Sequence, residues 1–412
     1  MLALTPSFGY RSVHHIGGRM AEKDSEVRKL LLSMATAIAV LATLAPVASA
    51  GQAGESVTLR AGKKSMKFGQ SVRIEGRARP PVDNEIVTIV DREEGPIAQT
   101  RTDEDGRYSL VLQPRENLSI RARTVNAQSA WVPIKVAFIV NVKLSDVNLF
   151  GRAKATGSIR PAQPGRRATV RLYRNGKPAQ KKKVRLNNGR SFRAQFDIRN
   201  PGSFKAKLAF GTADLKTGSD ASSKRKTKLP GLSLGSTGGY VRRLEKRLIQ
   251  LGYVIPSADR SFGVATRDAM YAFNKVQRRA RTGVVTESTW RVLANPKRPK
   301  PRVKFPRNHI EIDQTRQVIL WVRKGKVKWI LHTSTGAGGA TRDGVYRMFR
   351  EVHGYSPGRL YYPSYFDGLR AIHGWPEVPN YPASHGCARI PMWAAVWANN
   401  RSPIGMQVRV YH

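Results

Sequence analysis

Reactive residue types concentrate near the end of the chain, where AIHGWPEVPNYPASHGCAR runs from Ala371 to Arg389. This stretch holds the sole cysteine, Cys387, and two of the eight histidines, His373 and His385. A thiol attacks as thiolate, so a nucleophilic cysteine needs a base beside it, and a histidine titrating near working pH suits that task. Gly374 and Gly386 let backbone approach a substrate and aim N–H groups at a developing oxyanion. A buried, inert side chain is the ordinary fate of a lone cysteine; its place between glycine-flanked histidine steps argues for reactivity instead. After residue 50, every histidine lies at or beyond His309. A zinc site built from Cys387, His385 and a third histidine is the rival reading. It lacks a familiar ligand spacing and a second cysteine.

The string IHG followed by SHGC-x-R is similar to the signature of the L,D-transpeptidases, the YkuD-type enzymes that cross-link bacterial peptidoglycan through a cysteine acyl-enzyme. STG at Ser334 to Gly336 and TRDGVY from Thr341 to Tyr346 resemble the same pattern. The resemblance implies Cys387 as nucleophile and His373 as base, with the far ring nitrogen held by the backbone carbonyl of Gly374. It gives His385 a place in shaping the pocket, and the oxyanion hole to backbone N–H groups of Gly386 and Cys387. Ser384 and Arg389 stand on the substrate side, Ser384 holding the turn and Arg389 binding a carboxylate; a structural ion pair is the alternative for Arg389. The spacing from His373 to Ser384 is slightly short for the family, implying a shorter loop over the cleft. Tyr361, Tyr362, Tyr365 and Phe366 either line that cleft or fill the core.

The implied reaction takes a tetrapeptide stem of peptidoglycan as donor, releases its terminal D-Ala, and passes the acyl group to an amine of a second stem. With water as acceptor the same residues act as an L,D-carboxypeptidase. Neither course requires a metal or organic cofactor. By the same resemblance, carbapenem-type inhibitors would acylate Cys387.

Length and charge bound the rest. With 412 residues, about two to four domains are expected. A net charge of +44 points to polyanionic surroundings such as anionic cell-wall polymers, or to an arginine-rich background. Nucleic acid is not an expected partner, because no zinc-finger, helix-turn-helix or aromatic RNA-binding motif accompanies the charge. A single cysteine excludes an intramolecular disulfide framework.

Taken in order, residues 1–50 are an N-terminal extension and signal peptide or anchor. Arg28 and Lys29, an apolar run from Leu30 to Ala45, and Ala48-Ser49-Ala50 predict export with cleavage after Ala50, and the true start is expected at Met20 or Val27. Residues 51–140 and 141–228 read as alternating strands broken by Gly, Pro, Asn and Asp turns. Gly76 and Gly106 correspond to Gly157 and Gly189, a repeat of about 80 residues that suggests two tandem immunoglobulin-like β-sandwiches. These are expected to act as spacers, with wall binding as the alternative.

Between residues 229 and 295 the texture turns helical, with Val241, Leu244, Leu248 and Leu251 at helical spacing, then Ala269, Met270, Phe273 and Val276. This stretch resembles a PGBD-1-type peptidoglycan-binding domain of three helices. Arg260 stands where that family commonly has Gly, and Asn274 where Gln is usual. Residues 296–304 are a Pro-rich basic linker. Residues 305–412 form the C-terminal catalytic domain, β-rich by resemblance, with a hairpin at QVILWV and KVKWIL and GMQVRVY as closing strand. The expected fold is multidomain and mainly β.

Overall fold

The computed structural model describes residues 54–303 and 308–412; the signal-peptide expectation lies outside the described residues. The fold is mainly β and multidomain, with four α-helices among the described residues: α1 (Gly239–Leu251), α2 (Val264–Val276), α3 (Glu287–Ala294) and α4 (Met392–Asn399).

Each of the first two regions is a pair of sheets closing on an apolar interior. In the first, Val72–Arg79 pairs with Arg107–Leu112 in one sheet, and Ile86–Asp91 lies between Gly95–Arg101 and Leu118–Arg123 in the other. In the second, Arg152–Arg160 pairs with Ser191–Asp197 opposite a sheet centred on Arg167–Arg174 and Ser203–Phe210. The period-2 alternation sends Phe192, Ala194 and Phe196 inward and leaves the residues between them exposed. This two-sheet layering is consistent with the immunoglobulin-like expectation.

The glycine repeat has a steric origin. Gly76 pairs with Tyr108 and Gly157 with Phe192. A Cβ at Gly76 would lie 2.4 Å from the Tyr108 hydroxyl, and one at Gly157 would lie 2.6 Å from the Phe192 ring. In both repeats an aromatic side chain therefore lies across a strand glycine.

The helices bury the residues their spacing predicts: Val241, Leu244, Leu248 and Leu251 on α1, and Ala269, Met270, Phe273 and Val276 on α2. The two departures from the family pattern are accommodated locally. Arg260 adopts φ 80°, the left-handed conformation a glycine supplies without strain, and its N–H donates to the buried Glu245 carboxylate at 3.2 Å. Asn274 is buried and donates through Nδ2 to the Thr282 carbonyl at 2.7 Å.

The helical module is not a bead on a string. Its apolar core continues into Val318, Leu320 and Ile330 of the C-terminal domain. The chain after α1 joins that domain's sheet: Ile330 N–H donates to the Gly252 carbonyl at 2.8 Å, and Val254 N–H to the Ile330 carbonyl at 3.1 Å. Shared apolar burial and shared backbone hydrogen bonds bind the two into one packed body.

The C-terminal domain has two sheets. A five-stranded one runs in the order Lys326–His332, Val318–Arg323, His309–Asp313, Gln407–Tyr411, Gly344–Arg347. Its expected hairpin turns at Lys324 and Gly325, both with positive φ, as a two-residue loop between twisted strands requires. The second sheet runs Arg350–Glu351, Tyr361–Asp367, Arg370–Trp375, Ala388–Pro391. Tyr365 and Phe366 are buried, Phe366 within the domain core, and Tyr361 and Tyr362 are half-buried against that core. The sequence reading made no helix of Met392–Asn399; MWAAVWAN is apolar nearly all round, so it carries no amphipathic period to detect.

Candidate active site

Two parallel strands build the site. The histidine strand, Arg370–Trp375, lies beside the cysteine strand, Ala388–Pro391, with His373 opposite Arg389 and Gly374 opposite Ile390. Cys387 enters this register one step earlier, level with Ala371. Alternation then puts Cys387, Arg389, His373 and Trp375 on one face of the sheet. Ile372, Ala388 and Ile390 take the other face and enter the core with Ala394 and Ala395 of α4. A Cβ at Gly374 would lie 2.8 Å from the Ala395 side chain, so this position requires glycine for the helix to close down. Burial of one face thus fixes which residues meet on the other.

His373 is buried, and its Nδ1 lies 2.9 Å from the Gly374 carbonyl. A carbonyl only accepts, so Nδ1 carries the proton and Nε2 keeps its lone pair. Burial pushes the imidazole pKa down to about 4, against the Gly374 bond, which raises it; the Arg389 charge adds to the lowering. The ring is therefore neutral, and able to accept a proton, throughout the ordinary pH range. Trp375 stands edge-on to it with ring centroids 5.6 Å apart, and the Arg389 guanidinium lies over the same indole at 5.0 Å.

The Cys387 thiol is half-buried and points at the Leu369 carbonyl, 3.7 Å away. Burial raises its pKa; the Ala371 N–H and the charges of Arg389 and Arg370 pull the other way. The resting pair is a neutral thiol and a neutral imidazole. Such a pair suits general-base activation better than a standing ion pair does.

The turn before Cys387 is locked from within and from the side. Ser384 Oγ accepts from Gly386 N–H at 3.1 Å and donates to the Cys387 carbonyl at 2.6 Å. The Gly386 N–H assigned to an oxyanion hole is thus occupied by Ser384 in the resting turn. Gly386 adopts φ 138°, and a Cβ there would meet Arg370 Nε at 3.0 Å and the Ala340 carbonyl at 3.2 Å. Thr341 Oγ1 donates to the Gly386 carbonyl at 2.8 Å and accepts from Gly336 N–H at 2.7 Å, so the STG and TRDGVY segments meet the SHGC turn. The His385 side chain is exposed beside the turn.

Sequence reasoning missed Arg370 and Thr341 as individuals. Arg370 donates through Nε to the Ala340 carbonyl at 2.8 Å and pairs with Asp367 at 2.9 Å, walling the turn on one side. Its only sequence signal was proximity to IHG. A second buried histidine, His332, was also passed over: its Nδ1 lies 2.7 Å from Lys275 Nζ of α2, and its Nε2 lies 2.8 Å from the Val378 carbonyl.

Residues 307–410 match the YkuD family, described as the L,D-transpeptidase catalytic domain, and residues 237–293 match the putative peptidoglycan-binding domain PG_binding_1. Among solved structures, an L,D-transpeptidase fragment from Xylanimonas cellulosilytica is 36% identical over 45% of this chain and 98% of its own, with a TM-score of 0.42. An L,D-transpeptidase from Stackebrandtia nassauensis is 22% identical over 44% of this chain and 95% of its own, with a TM-score of 0.28. That from Mycobacterium smegmatis is 9% identical over 66% and 100%, with a TM-score of 0.23. At such TM-scores the superpositions carry no argument of their own. No curated protein matches the chain. On the matched segments and the identity to the first of these structures, the chain belongs to the L,D-transpeptidase family, with a YkuD catalytic domain preceded by a peptidoglycan-binding domain.

Proposed function

We propose that this protein is an exported L,D-transpeptidase that cross-links peptidoglycan stems through an acyl-enzyme on Cys387. The observation that carries the reading is the common face of His373 and Cys387, with the imidazole proton parked on Nδ1 by Gly374. His373 Nε2 takes the thiol proton as sulfur attacks the carbonyl of the L,D bond in the donor tetrapeptide. The C–N bond breaks, His373 returns the proton to the departing D-Ala amine, and a thioester remains. An amine of a second stem then attacks the thioester, gives up a proton to His373 and displaces the thiol, leaving a direct cross-link. The Cys387 N–H, and the Gly386 N–H once released by Ser384, are the donors for the oxyanion, each worth about 3 kcal/mol in the transition state. His385 shapes the mouth of this pocket, and Arg389 supplies a charge for a substrate carboxylate.

The helical module places the enzyme on its polymer. A cleft of about 560 Å³ between module and catalytic domain, lined by Arg278, Arg279, Lys300, Arg302 and Arg316 among others, offers anionic wall polymers a seat. Carbapenems would acylate the same thiol.

The test is incubation of the chain, begun at Gly51, with disaccharide-tetrapeptide, followed by mass spectrometry beside Cys387→Ala. Cross-linked dimer with free D-Ala, absent from the variant, is the expected result. Tripeptide monomer alone would make the enzyme an L,D-carboxypeptidase. No thiol-dependent product would leave a wall-binding protein without catalysis.

A further inference from the structure

We propose that Lys275 and Arg281 of the helical module are positioning residues for the Cys387 site, setting the 376–386 loop through His332 and Asn380. The inference rests on the transpeptidase reading above. That loop joins the histidine strand to the cysteine strand, so its course decides how the SHGC turn meets His373. Its ends are fixed by strand pairing, and its middle is held from outside. Val378 offers its carbonyl to His332 Nε2 at 2.8 Å, Tyr381 accepts from Ser334 Oγ at 2.6 Å, and the N–H groups of Ala383 and Ser384 donate to the Thr335 carbonyl at 2.8 and 3.1 Å. At Asn380 the partner comes from the other domain. Arg281 donates to the Asn380 carbonyl and to that of Thr315 at 2.9 Å, while Asn380 Nδ2 donates back to the Arg281 carbonyl at 3.2 Å.

The second link is indirect and turns on a proton. Lys275 is 3% exposed, burial and then the Arg281 charge push its pKa well down, and its Nζ lies against three acceptors: the Gln317 carbonyl at 3.0 Å, the Thr333 carbonyl at 3.1 Å, and His332 Nδ1 at 2.7 Å. Because the Val378 carbonyl only accepts, the single ring proton of a neutral imidazole sits on Nε2, and Nδ1 takes its hydrogen from Lys275 Nζ. Nε2–H is the group that reaches Val378. Lys275 thereby selects the tautomer that holds the loop; without it the proton can move to Nδ1 and leave the Val378 carbonyl facing a lone pair.

The same Nζ steadies Gln317. Its side chain receives Thr335 N–H at 2.8 Å and donates to Thr335 Oγ1 at 2.7 Å, next to the carbonyl that fixes Ser384. A third tie runs from α2 to the helix behind the cysteine strand, Trp393 Nε1 donating to Asp268 at 3.0 Å. A lysine that only stapled two domains together would need acceptors of any kind. This one is spent on groups that each lead, within two further hydrogen bonds, to the catalytic loop.

The experiment uses the full chain from Gly51 and reads three quantities: melting temperature, the rate of Cys387 alkylation by iodoacetamide, and kcat and KM on disaccharide-tetrapeptide. Arg281→Ala changes an exposed side chain, so the melting temperature should stay within ~2 °C while kcat and alkylation fall about tenfold at little-changed KM. Lys275→Met should fall further in kcat, and adding His332→Gln, whose amide cannot tautomerise and keeps a donor near Val378, should recover part of the loss. If Lys275→Met does not fold, Arg281→Ala and His332→Gln alone carry the test. Wild-type alkylation and kcat in Arg281→Ala, with an unchanged melting temperature, would overturn the proposal. Wild-type protein lacking thiol-dependent product would instead sink the transpeptidase reading, and the alkylation rates would still decide whether the module sets the loop.

Discussion

His332 and His373 are both buried, at 1% and 2% exposure, yet their rings are tied down in opposite ways. His332 has both nitrogens committed, one to Lys275 and one to Val378. His373 has one committed, to Gly374, and its Nε2 is left on the face that carries Cys387. Burial lowers both pKa values, so both rings are neutral. What separates a base from a strut is the free lone pair and not the charge state. A titration curve alone would not tell them apart; a partner count does.

That contrast predicts two different profiles of loss. His373→Gln removes the base, and turnover of the tetrapeptide should fall by about 10²–10⁴-fold, with the fold retained. His332→Ala leaves the buried Lys275 Nζ with two acceptors and the Val378 carbonyl without its His332 donor, and should cost about 1–3 kcal/mol of stability, read by denaturant melts. Equal losses of activity and stability in both variants would break the comparison. A His332→Ala protein of wild-type stability would show that the Lys275 cluster is not held as drawn.

The two histidines also set a pH window. For each, the unfolded chain binds a proton near pH 6.5 while the folded one resists it, down to about 4 for His373 and well below 6.5 for His332. Between those values the unfolded state holds more protons, so stability rises with pH and is lost as pH falls from about 6.5 towards 4. The His373 shift from 6.5 to about 4 corresponds to roughly 3 kcal/mol. Glu245 and Asp268, raised by burial, act in the opposite sense in the acidic range. The clean measurement is therefore the difference between wild type and His373→Gln at pH 7.5 and pH 4.5: the variant should lose less on acidification. An identical pH slope in both proteins would mean that His373 is solvated and not buried as described.

How much of this could be read without coordinates follows from how local each signal is. The Gly76 and Gly157 repeat was visible because each glycine faces an aromatic residue one strand away, and both members recur together. The faces of α1 and α2 were visible because one-sided burial imposes a 3.6-residue period. The Cys387 and His373 pair was visible because its glycines and turn residues lie within one short stretch. Gly374 shows a limit: it was chosen for its carbonyl, whereas its missing Cβ is needed against Ala395 of an undetected helix. Lys275 and His332 could not be joined from sequence, being 57 residues apart in two domains. In a chain of 72 lysines and arginines, nothing local marks Lys275 as buried.

The smallest predicted effect separates the two sites by charge. Arg389 lies beside His373 and adds to the lowering of its pKa, but is not among the causes that lower His332, where Lys275, Arg267 and Arg281 act with burial. Arg389→Gln should thus raise the His373 pKa from about 4 and move the acid limb of kcat/KM, which reports the free enzyme's base, to higher pH. The same change removes a charge that favours the Cys387 thiolate, so the alkaline limb should move upward as well. A plateau displaced at both ends in the same direction, measured on tetrapeptide from pH 4 to 10, is what one cation beside both members of a thiol–imidazole pair produces. If only the alkaline limb moves, the base that titrates in kcat/KM is not the histidine edge-on to Trp375. The free lone pair would then have to be sought on the exposed His385.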